Sequence, residues 1–389
     1  MTRNKSRSTS HTGRETLRYL DELHKLDYSF KSGRILGSMC TQPHPLAVKA
    51  YMKFLSTNLG DPELFPGAMK MEAGLIGFIS SLLHAPESSS GLVVSGGTEG
   101  NITSMWIAKK LTNKKEIIVP ESAHFSFRKV ASLMDMKLVD APLNKDYTVD
   151  VSKVKKMINS RTAAVIGVAG STTLGTVDNI EELSKICYDE DIFLHVDAAF
   201  GGYVIPFMKQ LGYKVRDFDF SLKGVSTISV DAHKMGCSVI PLGMLIVRDK
   251  RWIDLISVDS PYISIKRQAG ILGTRSGGPV AAAYALTRYL GVKGYTRIVK
   301  QCLDNTKYME GLITSIGLRL VTKPTMNVLG VRLNKLSTIT DMLSREGWRV
   351  NKIESLSCIR IVVMPHVTRK VIDEFIPMLR RICSEVGEI

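Results

Sequence analysis

Between residues 91 and 247 the sequence alternates short apolar runs with segments of helical spacing, and no other feature constrains the fold as strongly. The runs at 116–119, 162–169 and 192–196 have the length and composition of buried strands. Such a succession predicts an α/β fold with a mostly parallel sheet and helices on both faces. Ligands bind beyond the carboxyl ends of the strands in sheets of this kind, so we expect a site at that edge.

The C-terminal part of the chain has a different pattern, with short strands predicted at 328–333, 348–352 and 358–363 and helices at 336–346 and 368–385. A chain of 389 residues is long enough for a large domain and a smaller one. We predict an N-terminal tail and segment over 1–60, a large domain over 61–292 and a small C-terminal α+β domain over 293–389. Glycines at 291 and 294 mark the boundary.

Composition excludes several classes of protein. No window approaches 18 consecutive apolar residues, so we expect no membrane span. The six cysteines are far apart and form no C-x-x-C pair, which argues against a zinc site or a disulfide framework and favours the reducing cytoplasm. Residues 1–14 are basic and lack the apolar core of a secretory signal, leaving a disordered tail or a transit-like segment. The net charge of +15 is spread along the chain, so nucleic acid is not the expected partner.

Lys234 follows a predicted strand at 225–228, in the run Ser229-Val230-Asp231-Ala232-His233-Lys234-Met235-Gly236. A lysine at a strand end among small and apolar neighbours can lose part of its ammonium character, which makes it a candidate Schiff-base amine. An ordinary loop lysine is the alternative, and the neighbouring motifs decide between the two.

The run Ser95-Gly96-Gly97-Thr98-Glu99-Gly100-Asn101 connects a predicted strand to a predicted helix. Free backbone N–H groups and the helix dipole make such a turn an anion site, and the Thr98 hydroxyl adds a donor. The turn matches neither the P-loop nor the G-x-G-x-x-G pattern. Alone it is weak evidence for a phosphate.

Other candidates also follow predicted strands. His124, Thr172, Asp197 and the His233-Lys234 pair should converge on one rim of the sheet. A carboxylate after a buried strand needs a cation or strong donors, so Asp197 either caps the next turn or pairs with a cationic ligand such as a protonated pyridine.

Two residues outside that rim have a structural and a functional interpretation each. Pro43 and Pro45 hold the His44 imidazole on a stiff turn, at the surface or at the rim of a site. Arg360 lies between apolar residues of a predicted strand, either as a solvent-facing residue of an edge strand or as a carboxylate clamp.

Taken together, these motifs resemble the group II pyridoxal-5'-phosphate-dependent amino-acid decarboxylases of the aspartate-aminotransferase (type I) fold. The likeness covers nearly the whole chain from residue 17 and rests on three motifs in the family's order, 95–101, 195–199 and 231–234. The archaeal L-tyrosine/L-aspartate decarboxylases, in particular, also share runs similar to 37–41, 43–45, 273–275 and 360–366. The resemblance implies a large, mostly parallel sheet of the seven-stranded type, the cofactor pyridoxal phosphate and no metal.

The resemblance also implies roles for individual residues. Lys234 would carry the cofactor, with Asp197 on its pyridine nitrogen and His124 and Ala199 on its two faces. The remaining roles are phosphate binding by Gly97, Thr98 and His233, contact with a neighbouring subunit's phosphate by Thr274, contact with the cofactor edge by Thr172, protonation of the substrate carbon by Tyr262, and substrate contact by His44 and Arg360.

The implied reaction is decarboxylation of an L-amino acid in a homodimer with shared active sites. L-Aspartate would give β-alanine for coenzyme A biosynthesis, and L-tyrosine would give tyramine for methanofuran biosynthesis. L-Glutamate, another type I pyridoxal-phosphate lyase reaction, and a non-enzymatic basic binding protein are the alternatives. No cysteine lies between Cys237 and Cys302 to act as the reactive loop thiol of a desulfurase.

Overall fold

A computed structural model describes residues 11–261 and 266–389, and its centre is a seven-stranded sheet. Along the sheet the strand order is β1-β7-β6-β5-β4-β2-β3, and only β7 runs antiparallel to its neighbours. The strands are β1 Ser90–Val94, β2 Glu116–Pro120, β3 Lys137–Ala141, β4 Thr162–Val168, β5 Phe193–Asp197, β6 Val225–Asp231 and β7 Gly243–Val247. The predicted α/β fold with a mostly parallel sheet is confirmed.

Helices cover this sheet because its central strands have no exposed face. Every residue of β4, β5, β6 and β7 is buried, as expected for strands packed on both sides. Two apolar clusters fill the two sides of the sheet. The helices are α1 Gly13–His24, α2 Pro45–Lys53, α3 Pro66–Leu82, α4 Gly97–Thr112, α5 Ser126–Met134, α6 Val151–Met157, α7 Ile180–Asp189, α8 Ile205–Gln210, α9 Arg251–Asp254 and α10 Gly277–Ser315.

The C-terminal part forms a three-stranded antiparallel sheet with its own apolar cluster. Its elements are β10 Val328–Arg332, α11 Leu336–Arg345, β11 Asn351–Ile353, β12 Cys358–Val362 and α12 Arg369–Glu385, and a two-stranded pair, β8 Val258–Asp259 with β9 Arg267–Gln268, precedes them. The buried Leu36 joins this cluster, so the N-terminal segment packs on the C-terminal unit.

The predicted boundary near residue 292 falls inside α10. The range Gly277–Ser315 consists of two helices that meet at Gly291, which leaves the helical conformation at φ 53°. Glycine reaches that angle without strain, so the chain kinks between the two helices. None of the described helices is long and apolar enough to cross a membrane. Within the same residues, no cluster of three or more His, Cys, Asp or Glu side chains could hold a metal ion.

Candidate active site

A cavity of about 320 Å³ opens at the carboxyl edge of the large sheet. Its volume lies within the usual range for small-molecule sites. Eight predicted site residues line it: Gly97, Thr98, His124, Thr172, Asp197, Ala199, His233 and Lys234. The parallel strands bring these residues together because their carboxyl ends meet at one edge.

Lys234 reaches into this cavity just beyond the end of β6. Its Nζ lies 3.1 Å from Oδ2 of Asp231. Burial opposes the charged amine, but the carboxylates of Asp231 and Asp197 outweigh it and raise the pKa of Lys234 above its ordinary value. The expectation that Lys234 loses ammonium character is therefore wrong for this structure, because the carboxylate of Asp231 lies beside the amine.

The glycine turn forms the start of α4 and presents its backbone to the cavity. Helix α4 begins at Gly97, and its N-cap residue, Gly96, has no side chain that could accept from the first N–H groups. A Cβ on Gly97 would lie 3.0 Å from the Cβ of Ala199 and 3.3 Å from Oδ2 of Asp231, so glycine keeps this cradle open. The free N–H groups and the helix dipole favour a phosphate at this point.

Asp197 is held by hydrogen bonds at the end of β5. Its Oδ2 accepts from Nδ2 of Asn101 at 2.9 Å, and its Oδ1 accepts from the backbone N–H of Ala199 at 3.1 Å. The side chain is 7% exposed and lines the cavity. A carboxylate fixed in this way can pair with a cation that enters the cavity.

A series of hydrogen bonds between buried side chains holds Asn101 in place. Asn101 Nδ2 also donates to Ser126, so its Oδ1 accepts from Nε2 of His195 at 2.9 Å. Nδ1 of His195 then accepts from the hydroxyl of Thr227 at 2.8 Å. Burial lowers the pKa of His195 to about 4, and the neutral ring keeps one donor and one acceptor. The donors from Thr227 through His195 and Asn101 therefore point in one direction, toward Asp197.

The other cavity residues are anchored through their ring or backbone atoms. Nδ1 of His124 accepts from the N–H of Ser126 at 3.2 Å, and burial lowers the pKa of His124, so its half-buried ring favours the neutral form. Nδ1 of His233 lies 2.7 Å from the carbonyl oxygen of Leu242. Its other ring nitrogen lies 3.7 Å from Oδ2 of Asp231.

Arg360 lies on β12, the central strand of the small sheet, so its interpretation as a residue of an edge strand is wrong. It is 6% exposed because β10 and β11 flank it. Its two terminal nitrogens donate to the carbonyl oxygens of Thr172, at 2.7 Å, and Gly37, at 2.6 Å. Nε of Arg360 has no hydrogen-bond partner among the described residues. Arg360 does not line the cavity itself, but it holds Thr172, which does.

Among the described residues, two further predicted site residues, His44 and Thr274, do not line this cavity. His44 caps α2, where its Nδ1 accepts from the N–H of Leu46 at 3.1 Å, and its ring lies 5.5 Å from that of Tyr289. Thr274 is exposed and lines a neighbouring groove with Arg275. Tyr262 lies outside the described residues.

Asn101, His195 and Asp231 have no predicted role, although all three stand in the motifs at 95–101, 195–199 and 231–234. Alternation along β5 places His195 and Asp197 on one face, and alternation along β6 does the same for Thr227 and Asp231. Polar residues at every second position of a buried strand are the signal that predicts these partners.

The residues around the cavity fit pyridoxal phosphate. The uncapped start of α4 suits the phosphate, the fixed carboxylate of Asp197 suits a protonated ring nitrogen, and Nζ of Lys234 suits the aldehyde. Gly170 lines the cavity with a φ of +104°. A Cβ at this position would lie 2.9 Å from the backbone N of Gly201, so a side chain is excluded there.

Comparisons with known proteins give the same cofactor. The model of the pyridoxal-dependent decarboxylase conserved domain matches residues 55–333. The L-aspartate decarboxylase of Thermococcus kodakarensis is 45% identical over 377 residues, which cover 96% of this chain and 97% of that protein. The L-aspartate/L-glutamate decarboxylase of Pyrococcus horikoshii is 45% identical over 95% and 97%. A probable L-tyrosine/L-aspartate decarboxylase of Methanothermobacter thermautotrophicus is 43% identical over 91% and 97%.

Solved structures share the architecture. The sphingosine-1-phosphate lyase of Burkholderia pseudomallei superposes with a TM-score of 0.90 at 26% identity, covering 97% of this chain and 92% of that one. The glutamate decarboxylase of Lactobacillus brevis also gives a TM-score of 0.90, covering 100% and 96%; at 21% identity it supports the fold alone.

Proposed function

The chain belongs to the pyridoxal-dependent decarboxylase family, and we propose that it converts L-aspartate to β-alanine and carbon dioxide. It is a pyridoxal-phosphate-dependent amino-acid carboxy-lyase. Family membership sets aside the alternative of a non-enzymatic basic binding protein. The observation that carries the site proposal is that Nζ of Lys234, the carboxylate of Asp197 and the uncapped start of α4 face one cavity.

In this proposal the cofactor is held at three points. Gly97, Thr98 and His233 bind its phosphate, Asp197 pairs with its ring nitrogen, and Lys234 bonds to its aldehyde carbon. His124 and Ala199 pack on its faces, as the resemblance implies. When bound, pyridoxal phosphate supplies an electron-accepting ring for the pair left behind as the carboxylate departs.

The chain's own residues orient the substrate and move protons. The residues that line the pocket would fix the orientation of the substrate from which its α-carboxylate can leave. One proton must then reach the Cα of the substrate from a positioned acid, either the amine of Lys234 or the hydroxyl of Tyr262. Thr172 contacts the cofactor edge in this arrangement.

Aspartate is preferred as substrate because L-aspartate stands in the names of all three relatives described above. Its second carboxylate needs a cation or donors, and Arg360 and His44 are the candidates for that role. Because Arg360 does not line the cavity, it would act on the substrate through Thr172, whose carbonyl oxygen accepts its hydrogen bond. L-Tyrosine and L-glutamate remain as alternatives. β-Alanine would serve coenzyme A biosynthesis, and tyramine would serve methanofuran biosynthesis.

The test is carbon dioxide release and product identity with L-aspartate, L-tyrosine and L-glutamate, each assayed on the pyridoxal-phosphate-loaded protein. We expect kcat/KM for L-aspartate to exceed the other two by at least about tenfold, which corresponds to about 1.4 kcal/mol. A preference for L-tyrosine with release of tyramine would overturn the assignment of aspartate. Tyr262→Phe should slow product formation if the tyrosine supplies the proton.

We also propose a cytoplasmic homodimer in which Thr274 reaches the neighbouring subunit's phosphate. Helix α1 supports the dimer, because it has no buried residue and leaves Leu17, Leu20 and Leu23 exposed. The six free cysteines support a reducing compartment. Light scattering at assay concentrations should give twice the chain mass, and a fully active monomer would contradict the shared site.

A further inference from the structure

Asp231 is a buried carboxylate in the cavity that the proposed mechanism does not use. It ends β6, is 2% exposed and lines the cavity beside Lys234. Its Oδ2 faces Nζ of Lys234 at 3.1 Å, whereas its Oδ1 has no hydrogen-bond partner among the described residues. An unsatisfied oxygen on a buried charge is unfavourable, so its presence requires an explanation.

Oδ1 of Asp231 is buried from solvent and lies against backbone. A Cβ on Gly243 would lie 2.5 Å from Oδ1, and a Cβ on Gly97 would lie 3.3 Å from Oδ2. The glycine turn and β7 therefore close on the carboxylate. Within the part of the chain that the structure describes, Lys234 is the one residue that forms an ion pair with Asp231 at less than 3.5 Å.

We propose that Asp231 is the counter-ion that keeps Nζ of Lys234 protonated, both before the cofactor binds and after the lysine has bonded to it. This inference rests on the proposed role of Lys234. The ammonium has three protons, and two of them leave with the aldehyde oxygen as water. The third stays on nitrogen, so one positive charge remains beside Asp231 in both of these states.

Keeping that proton has a chemical consequence. A protonated carbon–nitrogen double bond is more electrophilic than a neutral one, so an incoming substrate amine attacks its carbon more readily. Asp231 is thereby a positioning residue, because it acts on the reaction through the charge of Lys234.

Other charged groups also face Lys234. Asp197 approaches from β5, His124 from the segment before α5, and the Cys40 thiol from the N-terminal segment. His233 is the neighbour on its own segment, and its ring nitrogen lies 3.7 Å from Oδ2 of Asp231. Asp231 is the one that forms a direct ion pair with the amine, so its removal should have the largest effect on the proton.

The first test measures the protonation of Lys234 in the apoprotein by competitive acetylation at a series of pH values, followed by peptide mass spectrometry. Loss of an opposite charge at this distance shifts a titration by about 1–3 pH units. We therefore expect Asp231→Asn to lower the midpoint for Lys234 acetylation by that amount. Asp231→Ser, a smaller neutral side chain, is the second variant in case the first fails to fold. Asp219→Asn, at another buried aspartate, is the matched control and should leave the midpoint unchanged.

The second test uses the cofactor-loaded protein and its visible absorption band, which reports the proton on the linking nitrogen. In Asp231→Asn the band should change at a pH about 1–3 units lower than in the parent protein. Borohydride reduction followed by peptide mapping first establishes that the cofactor is on Lys234. If it is not, the proposed role of Lys234 fails. If it is, and both midpoints in the Asp231 variants equal those of the parent, the counter-ion inference is overturned.

Discussion

Asp197 and Asp231 end neighbouring parallel strands of one sheet, yet the structure treats the two carboxylates differently. Asp197 accepts from Asn101 and from the backbone N–H of Ala199. Asp231 pairs with Lys234, and its Oδ1 accepts no hydrogen bond from any residue that the structure describes. A carboxylate fixed by the protein's own donors is ready for an external cation, whereas one without donors depends on a cation within the chain. The difference indicates that Asp197 serves the ligand and Asp231 serves the lysine.

The largest expected effect comes from removing the amine of Lys234, whose pKa both carboxylates raise. Lys234→Ala should lower decarboxylation by about 10⁴-fold, the upper range for one positioned proton-transfer group, and should abolish borohydride trapping of the cofactor. Steady-state kinetics and peptide mapping measure both. If borohydride still trapped the cofactor on another lysine of the variant, Lys234 would not be the residue that binds it.

The second prediction removes the charge of the fixed carboxylate. Asp197→Asn keeps the shape of the side chain but cannot neutralise a ring cation, so kcat should fall by about 10²–10³-fold. The loaded protein should still trap the cofactor on Lys234. Asp219→Asn is the control, since that carboxylate is buried beside His84 on another surface. An unchanged kcat would assign Asp197 to a structural role alone.

The third prediction tests the support of Asp197 through the pH dependence of stability. The pKa of His195 is about 4 in the folded chain against an ordinary 6.5, so the unfolded chain binds more protons between these values. The free energy of unfolding therefore falls as pH drops from 6.5 toward 4, by about 3 kcal/mol from this group. His195→Gln should remove that loss, as measured by denaturant unfolding at several pH values.

The buried Asp178 should change the free energy of unfolding with pH in the opposite direction to His195. Burial raises its pKa from 3.8 to about 6, although it accepts from the N–H groups of Val149 and Val168. Here the folded chain binds more protons, so this group makes stability fall as pH rises from about 4 to 6. Relative to the parent protein, Asp178→Asn should therefore steepen the rise of stability with pH, and His195→Gln should flatten it. If the free energy of unfolding changed equally with pH in the parent protein and both variants, both assignments would be contradicted.

The smallest expected effect concerns Arg360, which lies outside the cavity lining. Arg360→Lys keeps the charge but cannot hold the carbonyls of Thr172 and Gly37 together. We expect KM for L-aspartate to rise about tenfold, equivalent to about 1.4 kcal/mol. The free energy of unfolding should fall by about 1.5–3 kcal/mol for the lost charged hydrogen bonds. A lower stability with an unchanged KM would leave Arg360 as a link between domains only.

Much of the site was predictable because its residues follow buried strands. The rule that carboxyl ends of parallel strands meet at one edge brings Lys234, Asp197 and the glycine turn together without any knowledge of distances. Arg360 was harder to predict, since the sequence does not say which strand of the small sheet lies in the middle. That position depends on pairing between distant segments.

The sequence by itself determined the alternation of strands and helices, the order of the motifs and therefore the family and its cofactor. Only the tertiary structure decided the charge state around Lys234, because the pKa of an amine depends on atoms within a few ångströms and on burial. It likewise decided that Asn101 and His195 support Asp197 and that Asp231 forms an ion pair with Lys234. Strand periodicity is local and can be read along the chain, whereas hydrogen-bond partners are chosen across the sheet.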